Sequence, residues 1–291
     1  MNILKWPAIF EIDHETRRIN LSQPPDGTCG SAYRKDAFQQ IVDEAIDEGR
    51  FATLNGSHSE YFLIPGAQER VEVERYAAPL FGIAFRAVHC TAFVRTPNQG
   101  LLIWVARRSR SIFMFPGMLD STSAGGIKSY RTPLESILDE LMEEASLPRT
   151  LVRSRIQSVG VVTVGNCDPN TKLCRFEALY VYDLELGTNG TLEKPRIGKD
   201  GEVEEFLLMD CGEIMTRMRA GEFKPNVCLV MIDFLIRHGK ITPDSEVQYV
   251  DLCTRLRRKL PMPLVPDFFD AVRSESPKPS QLLGDSDINP S

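Results

Sequence analysis

The stretch "TPLESILDELMEEASL", residues 132–147, limits the fold more than any other part of the chain. Thr132 is a fair N-cap, Pro133 suits the first helical position, and Glu135 adds capping-box chemistry, so a helix starts here. Leu134, Ile137, Leu138 and Leu141 then fall on one apolar stripe that can pack on a sheet. Beside it lie Glu140, Glu143 and Glu144, spaced i, i+3 and i+4. Like charges at that spacing repel. Such a stripe is either a solvated acidic face or half of a cation site. All-oxygen ligands suit Mg²⁺ or Mn²⁺, which keep waters and bind substrate phosphates.

The surrounding pattern supplies the sheet. "AVHCTAFVR" and "LLIWVARR" read as strands joined by the turn "TPNQG". "IQSVGVVTVG", "FEALYVYDLEL" and "EVEEFLLM" read as further strands. "SAGGI" reads as a loop or bend, and "CGEIMTRMRAGEF" and "NVCLVMIDFLIRHG" as helices. Upstream, "AYRKDAFQQIVDEAIDEGRF" has helical periodicity, with Gly49 placed to end it. "EYFLIP" reads as a short strand, and "RVEVERYAAPLFGI" as a charged connection. The expected fold is α/β or α+β, a mixed sheet sandwiched by helices, preceded by a small N-terminal α/β module. The expected organisation is 1–80 for that module, 81–260 for the main domain and 261–291 for a polar, disordered tail.

Composition excludes several functions. The 291 residues carry a net charge of −6, which argues against a broad nucleic-acid-binding surface. No apolar run approaches the ~18 residues of a membrane span. The N-terminal "MNILKWPAIFEIDHETRR" makes neither a good signal peptide nor a good transit peptide. Seven scattered cysteines, never as CxxC, read as mostly reduced, buried thiols of a cytoplasmic protein; Cys167 and Cys174 are the closest pair, with nothing nearby to complete a zinc site.

"PGMLDSTSAGGIKSYRTPLESILDELMEEASLP" resembles the Nudix box, with Gly125 at its first position, Glu140 as the first helix Glu, Glu143 and Glu144 as the terminal pair, and Leu141 and Leu147 at the apolar positions. Together with "AAPLFGI", "DGEVEEFLLM" and "GEFKPNVCLVMIDFLIRHGKITPD", the match extends from about Trp6 to Leu260 and is similar to the thiamine-pyrophosphokinase-related Nudix subfamily. The chain has no GxxxxGK[ST], so no kinase site is expected. The resemblance implies a Nudix-type fold and a Mg²⁺- or Mn²⁺-dependent hydrolase of a small organic diphosphate. Thiamine diphosphate or damaged analogues lead as substrates, and a prenyl or other specialised-metabolite diphosphate stays open. Glu140, Glu143 and Glu144 would hold metal, and one of them or a carboxylate outside the helix would act as general base. Glu202 is favoured over Glu204 in "DGEVEE", where alternate strand residues share a face.

Substrate contacts are expected from Arg107 and Arg108, with Arg110 nearby, and from Lys224; Gly125 and Gly126 would let the backbone turn tightly and approach the phosphates. Lys224 and Asn226 are alternatively helix caps. His89 and His238 read as satisfied core histidines, and Phe113, Phe115 and Trp104 as core aromatics in preference to a stacking platform. The box departs from its pattern at Arg131, usually Glu, and at Asp139, usually Arg; an ion pair between them would restore the usual pairing with its poles swapped. Ser146 replaces the late Gly, as in the subfamily. The rival to a hydrolase is a catalytically silent Nudix-fold protein that binds a ligand or partner; a nucleic-acid-processing enzyme ranks last. Monomer and homodimer both stay open.

Overall fold

The computed structural model describes residues 6–16, 18–54, 56, 60–167, 173–188 and 191–265. Strands β1 (Phe10–Asp13) and β2 (Arg18–Leu21) form a hairpin, followed by helix α1 (Gly30–Asp47). Strands β3 (Tyr61–Leu63) and β4 (Glu72–Glu74) form a second hairpin, and a 3-10 turn spans Ala78–Phe81. The main sheet uses β5 (Phe85–Thr96), β6 (Gly100–Arg108), β7 (Leu119–Asp120) and β8 (Ser123–Gly126). Helices α2 (Pro133–Glu143) and α3 (Arg149–Arg155) separate these from β9 (Gln157–Cys167) and β10 (Cys174–Glu185). Two-residue strands β11 (Gly187–Thr188) and β12 (Thr191–Leu192) pair with each other, and β13 (Val203–Asp210) completes the main sheet. Helices α4 (Cys211–Arg219), α5 (Pro225–Arg237) and α6 (Tyr249–Leu256) follow.

The sheet order is β13-β6-β5-β10-β9, with β7 on β6 and β8 on β5. Only β5 and β10 run parallel among its pairings, so the sheet is mixed. Its central strands alternate between two buried faces. Val88, Cys90, Ala92 and Val94 with Leu102 and Trp104 pack against Ile137, Leu138 and Leu141 of α2. Phe93, Leu101, Ile103 and Val105 pack on the opposite face against Ile214 of α4 and Val227, Met231 and Phe234 of α5. Three of the four stripe residues of α2 are thus seated on the sheet, while Leu134, in the first turn, is exposed; the expected sandwich is the observed fold.

A separate apolar cluster gathers Phe38, Ile41 and Val42 of α1 with Ile9, Phe10, Val71 and Val73. Trp6, Phe10, Phe38 and Phe81 meet edge to face, with centroids 5.1–6.2 Å apart. Residues 261–265 return to this region, where Gly66 N donates to Val265 O at 2.9 Å. The greater part of the expected tail, 266–291, lies outside the described residues.

Three local readings need correction. "SAGGI" is not a loop: its first four residues form β8, because Ala87–Cys90 of β5 still have backbone groups to pair on that side. "RVEVERYAAPLFGI" is more than a connection, since it holds β4 and the 3-10 turn. The cysteines are not all thiols: Cys167 and Cys174 are cross-strand partners at the ends of β9 and β10 and are joined by a disulfide. Of the free cysteines only Cys90 is buried.

Candidate functional site: an acidic helix facing a cationic wall

Helix α2 is anchored as its sequence demands. The Thr132 hydroxyl accepts from Glu135 N at 3.2 Å, and Glu135 Oε2 accepts from Thr132 N at 2.9 Å. At the other end Ser146 takes a left-handed φ of 52°, the position where the family pattern has glycine. The segment after β12 closes over this end: Arg196 N donates to Ala145 O and Gly198 N to Glu144 O, both at 2.9 Å. Gly198 lies so close that a Cβ there would collide with the Glu143 carbonyl.

The three helix carboxylates meet different surroundings. Glu144 is buried, with Oε2 accepting from Ser123 Oγ at 2.6 Å and from Ala124 N at 3.0 Å. Burial and the nearby Glu140 hold its carboxyl well above the usual range, against the pull of those hydrogen bonds. Glu140 lies over Gly125, where an added Cβ would coincide with its carboxylate. Burial, then the charges of Glu143, Glu202 and Glu60, push Glu140 up to about 8, and Lys128 opposes them. Glu143 is exposed.

Glu144 and Glu202 line a small cavity together with Arg108, Asp120, Ser121, Ala106, Ala124 and Val203. Asp120 is buried, and its Oδ2 accepts from Arg108 Nη1 at 2.9 Å and from Lys224 Nζ at 3.4 Å. Burial alone would raise its pKa; Lys224 and Arg108 instead hold the carboxyl at about 2. Two cations against one anion leave this wall with a net positive charge. Behind it, His89 is buried with Nδ1 2.9 Å from Ser121 Oγ, and burial, with Lys224 nearby, lowers it to about 4. Asp120 has no signal in the sequence: a lone Asp in "MLDSTS" is ordinary until the fold places Arg108 and Lys224 around it.

The structure gathers Glu140, Glu144, Glu202, Arg108 and Lys224 around this region but leaves other sequence candidates apart. Arg107 pairs with Glu205 at 2.6 Å and donates to Gly117 O at 3.2 Å. Glu202 and Glu204 have different neighbours: Glu202 lines the cavity and Glu204 is not among its lining residues. A bulge between Val203 and Glu205 breaks the alternation, and Glu204 pairs with Arg110 at 3.6 Å. Gly125 and Gly126 make no tight turn; they are strand residues whose missing side chains leave room for Glu140 and for the Phe62 ring. Neither Lys224 nor Asn226 caps α5 with its side chain; Asn226 Nδ2 donates to Glu177 Oε2 at 3.0 Å. Trp104 is a core residue, but Phe113 is 49% exposed because its loop projects from the sheet. His89 and His238 are satisfied histidines: His238 Nε2 lies 2.9 Å from Asp183 Oδ2, and its ring packs on Phe234.

The donor set is the hard-oxygen kind that divalent cations take, and its charge is under-compensated. Among the described residues, however, no three acidic, His or Cys side chains already converge as a metal cage. Glu140 rests against β8 and Glu144 is engaged with Ser123, so a cation would have to draw them together. Among the same residues no helix is long and apolar enough to cross a membrane.

No protein-family model matches the chain. Nudix hydrolase 20, chloroplastic, of Arabidopsis thaliana is 38% identical over 249 residues, covering 84% of this chain and 61% of its own length. Nudix hydrolase 24, chloroplastic, from the same plant is 36% identical over 187 residues, 64% of this chain and 48% of its own. The Saccharomyces cerevisiae protein YJR142W, described as uncharacterized, is 35% identical over 242 residues, 79% of this chain and 70% of its own. The chain thus spans about half to two thirds of the plant relatives. A solved Nudix hydrolase from Alicyclobacillus acidocaldarius superposes with a TM-score of 0.38 at 12% identity, over 51% of this chain and 89% of that one. The curated names of the plant relatives support the Nudix hydrolase family for this chain.

Proposed function

We propose that this protein is a Mg²⁺- or Mn²⁺-dependent hydrolase that cleaves a small organic diphosphate. The observation that carries this reading is the cavity itself, which Glu144 and Glu202 line together with Arg108 and the buried Asp120 that Arg108 shares with Lys224. Glu140, Glu143 and Glu144 are the metal ligands of this reading. A bound cation would neutralise phosphate charge and lower the pKa of the attacking water. Glu202, at the cavity and outside the helix, is the candidate general base, ahead of Glu140 and Glu143. Arg108 and Lys224 are the phosphate contacts, because their shared Asp120 cancels only one of two charges. Arg107, already engaged by Glu205, is the weaker candidate.

Thiamine diphosphate and damaged analogues lead as substrates, on the subfamily resemblance of the "PGMLDSTSAGGI" and "FKPN…FLIRHG" segments; prenyl and other specialised-metabolite diphosphates come next. No nucleic-acid or membrane partner belongs to this proposal, and homodimerisation is left to measurement. A cytoplasmic location is proposed on the five free cysteines.

One observation favours a second reading, a Nudix-fold protein that binds a ligand without turnover: the carboxylates do not form a ready cage. Phosphate release from a diphosphate panel, thiamine diphosphate included, decides between the two. Turnover that requires Mg²⁺ or Mn²⁺ and collapses in Glu143→Gln supports the hydrolase; a folded protein silent on every member supports the binder.

A further inference from the structure

The backbone that follows the glycines of the box is gripped by the N-terminal β3–β4 hairpin. Phe62 of β3 fills the space that a side chain on Gly126 would need, and its ring meets Phe85 edge to face at 4.9 Å. Three residues on, Ser129 N donates to the Tyr61 carbonyl at 2.8 Å, and Arg70 Nη2 donates to the Ser129 carbonyl at 3.2 Å. Lys128 is therefore held between two fixed points. Its Nζ lies 3.1 Å from Glu60 Oε1, and Arg75 Nη1 donates to the other oxygen, Glu60 Oε2, at 2.9 Å. A carboxylate clamped by two cations on separate elements is a locating device, since moving it breaks both pairs.

The device borders the acidic helix. Gly125, one residue before the Phe62 contact, is where the Glu140 carboxylate lies. Lys128 follows Gly125 by three residues on the same gripped backbone. Lys128 and Glu60 side chains are 33% and 35% exposed, so an anion can reach the ammonium from solvent.

We propose that Lys128 is a substrate contact for a diphosphate oxygen and that Glu60, from the N-terminal module, is its positioning residue. This rests on the diphosphate-hydrolase reading. The N-terminal module then contributes to the site, and a diphosphate lying over α2 meets Lys128 in addition to Arg108 and Lys224. Lys128 bears one charge on a flexible stem, so without Glu60 it samples more positions and loses part of its contact.

The test uses the full chain and two readouts. The first is steady-state kinetics with Mg²⁺ on whichever diphosphate of the panel is turned over. The second is calorimetric binding of methylenediphosphonate with Mg²⁺, which needs no turnover. Lys128→Met is expected to raise KM and the probe Kd by about tenfold, the size of one lost charge-assisted contact, with kcat within about threefold. Lys128→Arg should restore both to within about threefold. Glu60→Gln should raise them by a smaller factor and add nothing in the Lys128→Met background. Variants that lower the melting temperature but leave KM and Kd unchanged would overturn the proposal, as would additive effects of the two changes. If the wild type turns nothing over yet binds the probe and Lys128→Met weakens that binding, the hydrolase reading fails and this contact stands. A wild type that neither turns over any diphosphate nor binds the probe overturns both.

Discussion

Arg131 Nε lies 3.2 Å from Asp139 Oδ2, joining the loop that enters α2 to the helix's second turn. These are the two positions at which the box departs from its pattern, and each carries the charge the pattern assigns to the other. The departures therefore compensate as an ion pair. Asp139 Oδ1 is also bound by Arg149 at the start of α3, a partner the sequence did not suggest. Two arginines hold Asp139.

A charge-reversal cycle measures this relationship. Arg131→Glu and Asp139→Arg are each expected to destabilise by about 1 kcal/mol or less, since both side chains are partly solvated. The double variant should recover about 0.5 kcal/mol of the summed loss, not all of it, because Arg149 would then face another cation. Denaturant midpoints read the cycle, and strictly additive losses reject the pair.

Gly125→Ala should damage the site more than the fold. The new methyl group occupies the place of the Glu140 carboxylate and must displace it. A loss of about tenfold or more in metal-dependent turnover is expected, with destabilisation of about 1–3 kcal/mol. Unchanged activity would remove Glu140 from the metal site.

Glu202 lines the cavity, whereas Glu204 pairs with Arg110. Glu202→Gln is expected to lower kcat by about 10²-fold or more, the range of a lost general base. Glu204→Gln, whose carboxylate pairs with the exposed Arg110, should stay within about twofold. Equal losses at both positions would remove Glu202 from the base role.

Ser146→Gly should stabilise the protein by about 0.5–1 kcal/mol, because glycine adopts the left-handed backbone at Ser146 without the steric penalty. The Ser146 Oγ contact to Ile197 O, at 3.4 Å, is too long to offset this. A melting temperature that falls would refute it.

His89 makes the fold acid-sensitive. Its folded value of about 4 lies below the ordinary 6.5, so between these values the unfolded chain binds the extra proton. Stability from this residue is full above pH 6.5 and is lost as pH falls through 4, by up to roughly 3 kcal/mol. His89→Asn removes the titration and keeps a polar group facing Ser121. Its stability should change less than the wild type's between pH 7 and 4.5, a window that stops above Asp120's transition near 2. Parallel pH profiles would show that His89 is not the sensor.

The sequence by itself determined the elements with strong local signals. Capping residues and an apolar stripe fixed α2, because a helix end and a 3.6-residue period are local properties of the chain. The β5–β6 hairpin, α4 and α5 were legible for the same reason, and so was the family likeness carried by the box. Tertiary structure decided what depends on distant partners. The strand β8 exists because β5 has an open edge to pair with, which no window around "SAGG" contains. Gly125 and Gly126 are required for space against Glu140 and Phe62, not for a turn. Asp120 gains its role from Arg108 twelve residues before it and from Lys224 over a hundred after it. Electrostatic environment and close packing are set by what surrounds a side chain in three dimensions, and burial makes those surroundings decisive.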